Sequence, residues 1–511
     1  MSPQSPPIAR FFPRSPARPS ARLGAGRPGF VAARAAGWLA AAALVGGCVP
    51  LTPPPADLAN RAVGRPGRFA ATQPTALSAD SAESAESAES VDTNWLADFQ
   101  DDTLSALVAE ALAHNPDLLV SAARLDEAQQ RVIVAGSRLY PQLDAVGSAG
   151  RSKSSFGGSG PITSTSYALG GRASWELDLW GRVRADAASA SLSAEASELD
   201  LQFARLSLAA QVADAWFVAV QAQLQLAIDQ ERLVSEDRTN RVTRDKVATG
   251  VGGQLDAELQ EANVRLAREA VEADRQAIEQ SKKALEVLLG RYPASDLAIA
   301  AALPTLGGEA PTGLPSELLE RRPDVRAADR QVAAAFYDRT AAQAARLPSV
   351  TLSADLGWLI DPSASYWSLT GGLLAPLFTG GRLEAQARAA DARQRGAVAS
   401  YVAAAIRAFQ EVESALANEQ FFIRRQAELE EAVNRSAGAT RIGEDRYAAG
   451  VLGIVDLTTI RRQDFQSRGQ LLQVQAGRVR QRLALYRALG GSFAAPQAVA
   501  TAGPRPNTIT K

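Results

Sequence analysis

The hydrophobic pattern of the chain is dominated by one stretch, Arg182 to Thr249, which contains neither glycine nor proline. Apolar residues recur there in steps of four and three, as in a coiled-coil seam, and a second apolar stripe lies beside the first. Two stripes indicate a helix with neighbours on two sides, as in a wall of helices. One helix of this length would be about 100 Å long. On this stretch alone, a two-stranded coiled coil is an alternative.

The same plan then occurs a second time. Four landmarks recur at matched spacing, which indicates a duplicated architecture with long helices at 181–249 and 381–449. The landmarks are two prolines with the same separation in both halves (Pro116 and Pro141, Pro323 and Pro348), a Gly-Arg pair (Gly181, Gly381), the glycine that closes the long stretch (Gly250, Gly450) and a Leu-Gly pair that closes each half (Gly290, Gly490).

A different periodicity follows Pro141 and Pro348. Apolar and polar residues alternate from Tyr167 to Leu179 and again from Val350 to Ile360. Alternation with a period of two predicts strands with one apolar and one polar face. We predict strands at about 142–153 and 165–179 in the first half and at about 349–360 and 365–377 in the second.

The composition of these strands indicates a membrane. Four tryptophans lie in or beside them, and alternating strands with aromatic residues near their ends are typical of transmembrane β-structure. A soluble sandwich is the alternative. Since four strands cannot close a barrel and an open edge is not tolerated in lipid, the chain must share its barrel with copies of itself. An eight-stranded lumen is filled by its own side chains, so a conduit requires three or more copies.

The ends of the chain have a separate character. Residues 1–47 contain basic residues and then a short apolar run that leads to Leu44–Cys48, which predicts a secretory signal peptide with a lipobox and lipidation of Cys48. An ordinary signal peptide that contains a cysteine is the alternative. Residues 48–94 are predicted to be a flexible lipidated tether, and 494–511 a disordered tail. The two repeats then occupy 95–310 and 311–493.

Charge and rare residues exclude several functions. A net charge of −1 argues against a nucleic-acid partner. One cysteine allows no internal disulfide, and one cysteine with one histidine argues against a structural zinc site. We find no Gly-rich phosphate loop and no His/Cys nucleophile pair, and we interpret His114 as a capping or surface residue. No enzyme activity, catalytic residue, metal or cofactor is therefore expected, apart from the covalent lipid on Cys48.

Residues 95–490 resemble the TolC-like outer-membrane factors, and specifically their lipoprotein branch, the NodT-type efflux channels. The resemblance rests on the duplicated plan, on Pro141 and Pro348 before the strands, and on the turn from Tyr447 to Gly450 that leads to Ile454-Val455-Asp456. It implies a mixed α and β fold: an internally duplicated subunit of a homotrimeric 12-stranded transmembrane β-barrel, continued by a long periplasmic α-helical barrel.

The same resemblance implies a function and its partners. The chain would be a passive conduit, lipid-anchored in the cell outer membrane and extending into the periplasm, for drugs or other solutes. An inner-membrane efflux pump would deliver them through a periplasmic adaptor protein. Two alternatives are a channel for one-step protein secretion and a lipid-anchored coiled-coil scaffold, although the scaffold would not explain the strands.

A gate at the periplasmic mouth is also implied. Asp256 and Asp456 each lie six residues past their glycine, and Asp456 matches the position of an aspartate ring in family members. Three carboxylates in a narrow aperture attract cations. Tyr447 matches a tyrosine that bonds across to an aspartate matching Asp256.

Three neighbouring residues complete this prediction. Arg462 matches an arginine found near the gate of related lipoprotein channels. Thr459 stands where many relatives have a second aspartate, and Leu452 where some have a gating arginine. We therefore expect a closed state held by fewer links. For each gate residue the alternative is an ordinary charged or polar group at a helix start.

Overall fold

A computed structural model of the chain describes residues 95–155, 161–306, 315–360 and 363–491. The predicted signal peptide, Cys48, the tether and the tail lie outside these residues. The described elements begin with a 3₁₀ helix, Trp95–Phe99, and alternate between short helices, strand pairs and long helical hairpins. They continue with α1 (Asp102–His114), α2 (Pro116–Ser137), β1 (Gln142–Ser154), β2 (Ile162–Leu177), α3 (Arg182–Ala248), α4 (Gln254–Leu288), α5 (Pro315–Arg321), α6 (Pro323–Ala344), β3 (Ser349–Ile360), β4 (Ser363–Leu374), α7 (Arg382–Ala448) and α8 (Ile454–Ala488).

The two longest helices have the bounds that the glycine landmarks predict, to within one residue. α3 and α7 each contain 67 residues, which corresponds to about 100 Å. Both are followed by a glycine with a positive φ, 75° at Gly250 and 73° at Gly450. Only glycine adopts this left-handed conformation without strain, so the two glycines end the helices and let the chain reverse.

The duplication is regular in the helices. The first and last residues of α3 and α4 recur at one constant offset in α7 and α8, from 182–248 and 254–288 to 382–448 and 454–488. The offset between the starts of α2 and α6, Pro116 and Pro323, is larger. The first repeat is therefore longer in the region of the strands, where β2 has 16 residues and β4 has 12. The helices α2, α3 and α4 have the same lengths as their counterparts α6, α7 and α8, so from Pro116 onward the difference in length between the repeats lies in the sheet and its connections.

The four strands form one antiparallel sheet in the order β1-β2-β3-β4. In its register Leu169 lies opposite Trp358, and Ser174 lies opposite Ser353. Because side chains alternate between faces, this register places most of the large apolar residues on one face, with Leu169 and Trp358, and Arg172 and Asp355 with the strand serines beside them on the other. The sheet has open edges at β1 and β4, as the prediction of a barrel shared between copies requires.

Two strands end earlier than we predicted. β2 stops at Leu177 because the Asp178 carboxylate accepts hydrogen bonds from the backbone nitrogens of Val183 (3.0 Å) and Arg184 (2.9 Å), which belong to the first turn of α3. β4 stops at Leu374, shortly before Pro376, which has no N–H to donate to a neighbouring strand.

An aromatic cluster halfway along α3 joins the start of the described chain to both repeats. Trp95 stacks on Tyr486 of α8 with ring centroids 5.9 Å apart, and Phe99 lies 5.4 Å from Phe217 of α3. The Tyr486 hydroxyl donates a hydrogen bond to Asp98. Burial, and then this bond, raise the pKa of Tyr486 to about 12. The neutral phenol thus fixes the N-terminal segment to α8.

The sequence landmarks contact one another in the structure. The residue before each proline that starts a helix forms a hydrogen bond to the end of α4 or α8. Asn115 Nδ2 donates to the Leu288 carbonyl (2.9 Å), and Arg322 Nη1 donates to the Ala488 carbonyl (3.1 Å). These carbonyls belong to the last turns of α4 and α8, where partners within the helix are lacking. The matched spacing of the landmarks therefore corresponds to the same helix–helix contact in both repeats.

Candidate functional site

Two tight turns reverse the chain far from the sheet. α3 begins at Arg182, soon after β2 ends, and α7 begins at Arg382, soon after β4 ends, so both long helices run about 100 Å from the sheet to their turns. We call residues 239–262 and 439–462, which contain the two turns, the tip. A side-chain contact described below joins its two halves, so the predicted gate residues lie in one region.

The turns satisfy their own backbone. The nitrogens of Val251 and Gly252 both donate to the Lys246 carbonyl at 2.9 Å, and Val451 donates to the Arg446 carbonyl at 3.0 Å. These bonds use carbonyls that the helix end leaves without partners. The next helix therefore starts at an equivalent place in both repeats.

Asp256 and Asp456 occupy equivalent positions, the third residue of α4 and of α8. A carboxylate in the first turn of a helix is stabilised by the helix dipole. Each folds back toward the preceding glycine: a Cβ atom built at Gly253 would lie 3.6 Å from Asp256 Oδ2, and one at Gly453 would lie 3.4 Å from Asp456 Oδ2. Asp456 is exposed and Asp256 half-buried.

Tyr447 contacts a residue that we did not predict. Lys246 Nζ, at the end of α3, donates a hydrogen bond of 3.0 Å to the Tyr447 hydroxyl at the end of α7. The same nitrogen lies 4.2 Å from the centroid of the Tyr447 ring, which is a cation–π distance. Within the protomer, therefore, Tyr447 accepts from Lys246. The predicted hydrogen bond from Tyr447 to Asp256 stays a prediction.

The arginine of α8 that joins helices at the tip is Arg461, one residue before the predicted Arg462. Arg461 forms an ion pair with Glu444 of α7 (2.5 Å) and donates to Thr239 Oγ1 of α3 (2.8 Å), so it joins three helices. Arg462 is exposed and makes no ion pair among the described residues.

The two remaining predicted residues have local contacts. The Thr459 hydroxyl donates to the Val455 carbonyl of its own helix at 2.8 Å. Leu452 is half-buried, and its Cδ2 would lie 3.7 Å from a Cβ atom at Gly443. Neither residue adds a charge to the tip.

A pair of aspartates lies further along α3 and α4. Partial burial and the neighbouring Asp229 carboxylate raise the pKa of Asp274 to about 6. Asp229 also accepts a hydrogen bond of 2.7 Å from Gln225 and lies 3.6 Å from Arg232. No group of residues suited to hold a metal ion occurs among those that the structure describes.

The outer membrane efflux protein family model matches residues 107–291 and 314–491, which include both strand pairs and both long hairpins. The chain belongs to this family. Similarity to individual members extends over most of their length. The pyoverdine export outer membrane protein OpmQ of Pseudomonas putida is 32% identical over 422 residues, which are 79% of this chain and 89% of OpmQ.

Two further proteins give the same picture. The probable efflux pump outer membrane protein TtgC of Pseudomonas putida is 30% identical over 415 residues, which are 79% of this chain and 86% of TtgC. The structure of the outer-membrane channel OprN matches with a TM-score of 0.77 and 29% identity, covering 84% of this chain and 97% of OprN.

Membership of the efflux protein family confirms the predicted fold class, an internally duplicated, mixed α and β subunit of a trimeric outer-membrane channel. It also confirms the localisation in the outer membrane with an extension into the periplasm, and the function as the outer-membrane component of an efflux system. Such tripartite systems contain an adaptor and an inner-membrane pump. The alternative of a coiled-coil scaffold is wrong.

Proposed function

We propose that the tip is the periplasmic gate of this efflux channel, and that three Asp456 carboxylates, one from each protomer, surround its aperture. Asp456 is exposed and makes no ion pair among the described residues, so its charge is free to act on a permeating ion. Carboxylates held close together repel one another and attract cations. The observation that carries the proposal is the Lys246–Tyr447 contact, which joins the turns of the two repeats.

Each remaining residue of the proposed gate has a stated role. A hydroxyl that accepts from Lys246 keeps its own hydrogen, so we propose that Tyr447 donates it to an Asp256 carboxylate at the tip. Arg462, exposed and without an ion-pair partner in the described protomer, is proposed to contact a neighbouring protomer. Because Thr459 is uncharged, this segment contributes a single ring of carboxylates.

The tip is also the proposed contact for the periplasmic adaptor. Four large apolar side chains, two at each turn, are exposed there: Val251 (81%), Leu255 (70%), Val451 (74%) and Val455 (56%). Exposed apolar residues that recur at equivalent positions favour a protein partner over solvent. The adaptor would therefore cover both turns of every protomer.

The cargo that we propose is a small organic solute of the siderophore or drug class. OpmQ, by its name, exports pyoverdine, and this chain covers 89% of OpmQ at 32% identity. Cells that lack their own efflux channel should recover export of such a solute when they produce this protein with its cognate pump and adaptor. Unchanged export of every solute tested, despite correct insertion, would contradict this assignment.

We propose a covalent lipid on Cys48, which follows the apolar run and two glycines. The lipid would tie the N-terminal segment to the outer membrane. Metabolic labelling with a palmitate analogue should mark the wild type and leave Cys48→Ser unmarked. Equal labelling of both proteins would show that the lipid assignment is wrong.

The channel itself is tested on the purified full-length protein. Native mass spectrometry in detergent should show three chains, and planar bilayers should show discrete conductance steps. In the same bilayers Asp456→Asn should lower the preference for cations without opening the pore. A stable monomer would contradict the shared barrel, and unchanged ion selectivity would show that Asp456 does not line the aperture.

A further inference from the structure

One row of the sheet carries charge on three adjacent strands. In the register Asp144 of β1 lies opposite Arg172 of β2, Arg172 lies opposite Asp355 of β3, and Asp355 lies opposite Ser368 of β4. We call these four residues the charged row. It crosses the whole sheet, so in a closed barrel the rows of the three copies would together encircle the interior.

The charged row lies on the polar face of the sheet. Its neighbours two residues away include the pairs Ser174–Ser353 and Gly170–Gly357, whereas the opposite face carries Leu169, Leu356 and Trp367. These three apolar side chains are each more than half exposed in the protomer. In a membrane the apolar face meets lipid, so the charged row faces the lumen.

Two of the charges neutralise each other. Arg172 Nε donates a hydrogen bond of 2.6 Å to Asp355 Oδ1, and the Ser368 hydroxyl lies 3.3 Å from Asp355 Oδ2. The carboxylate of Asp144 makes no hydrogen bond or ion pair among the described residues and is exposed. Each protomer therefore presents one negative charge in excess at this height of the barrel.

The neighbouring protomer cannot neutralise Asp144 through the strand that it supplies. β1 and β4 are the two edges of the sheet, so barrel closure pairs β1 of one copy with β4 of the next. β4 contains no charged residue over its whole length, Ser363–Leu374. Whatever register the seam adopts, Asp144 gains no cation from it.

We propose that the charged row is a cation-selective element inside the β-barrel, formed by three Asp144 carboxylates that each lie beside an Arg172–Asp355 pair. It favours the passage of cationic groups, and of the ammonium or guanidinium ends of zwitterionic cargo, because a ring of like charges in a narrow lumen attracts opposite charge. The inference rests on the barrel of the proposed channel and is independent of the gate at the tip.

The test uses opposite changes of charge in one row. Reversal potentials are measured in planar bilayers under a salt gradient, with every variant built on Asp456→Asn so that the tip contributes no carboxylate ring. Asp144→Asn removes the excess charge and should shift the reversal potential toward that of a non-selective pore. Arg172→Gln leaves two carboxylates per protomer and should shift it the other way, toward stronger cation preference.

Two more variants keep the result interpretable. Asp355→Asn leaves Arg172 to balance Asp144, so it should match Asp144→Asn even if Arg172→Gln fails to insert. Gln142→Asn changes an uncharged residue on the same face of β1 and should leave the reversal potential unchanged. If the variants conduct but all have the same selectivity, the inference about the charged row is wrong and the proposed channel function still stands. Wild-type protein that never conducts would overturn the proposed channel with it.

Discussion

The contact between Lys246 and Tyr447 makes a quantitative prediction about the closed state. Lys246→Met keeps a long side chain at the end of α3 but removes the ammonium group that bonds the Tyr447 hydroxyl at 3.0 Å and lies 4.2 Å from its ring. The turns of the two repeats then lose a direct link. We expect the variant channel to spend more time open.

The size of the effect follows from the exposure of Lys246. Because this side chain is exposed, the hydrogen bond and the cation–π contact together contribute about 1 kcal/mol per protomer. A trimer has three such contacts, or about 3 kcal/mol if they act independently. At about 1.4 kcal/mol for each factor of ten, the ratio of closed to open channels should fall roughly 100-fold.

Single-channel recording in planar bilayers measures this ratio, and the second repeat supplies the control. Arg446 holds the exposed position in α7 that Lys246 holds in α3, and it makes no side-chain ion pair among the described residues. Arg446→Met should therefore leave the open fraction unchanged. Tyr447→Phe keeps the ring and should give an intermediate effect. Equal behaviour of Lys246→Met and Arg446→Met would refute the assignment of this contact to the gate.

Three further changes test other parts of the molecule. Asp274→Asn should raise the unfolding temperature, followed by circular dichroism, at about pH 7.5, keep roughly half of this gain near pH 5 and lose it near pH 3. The reason is that the cost of the carboxyl is absent below its unfolded pKa of about 4 and grows until the pH passes the folded pKa of about 6. Gly290→Ala should reduce thermal stability more than Gly250→Ala: both have a φ of 75°, but only at Gly290 would the new Cβ meet a backbone oxygen, at 2.6 Å. Leu169→Arg, on the lipid face near the middle of β2, should destabilise the inserted barrel by roughly 2–4 kcal/mol more than Ala168→Arg on the lumen face, and heat-modifiable mobility on gels should show less inserted protein. Equal results within any of these comparisons would contradict the corresponding assignment.

The helical part of the fold could be predicted from the sequence because its signals are local. A stretch without glycine or proline, closed by Gly250, determines where a helix continues and where a left-handed residue ends it. The duplication adds a second, independent copy of each boundary. The ends of β2 and β4 were predicted less well, since Asp178 caps a helix at a position where the alternating pattern continues.

The side-chain contacts of the tip could not be predicted from the sequence. Aligning the repeats pairs Asp256 with Asp456, and both indeed occupy the same place in their helices. It does not pair Lys246 with Tyr447, which lie in different repeats and not at equivalent positions. Arg461 was missed for the same reason, because the Glu444 and Thr239 that it contacts lie on two other helices.

The contact between Lys246 and Tyr447 occurs once per protomer because the two residues do not occupy equivalent positions in the repeats. The backbones of the two hairpins are equivalent, so a reciprocal contact would join Arg446 to the counterpart of Tyr447, which is Val247. Valine has neither a hydroxyl nor an aromatic ring, so nothing there can accept a hydrogen bond or bind a cation. A trimer therefore contains three Lys246–Tyr447 contacts and not six contacts of this kind. The duplicated backbone provides two equivalent turns, and the side chains that differ between the repeats determine which helix ends are in contact.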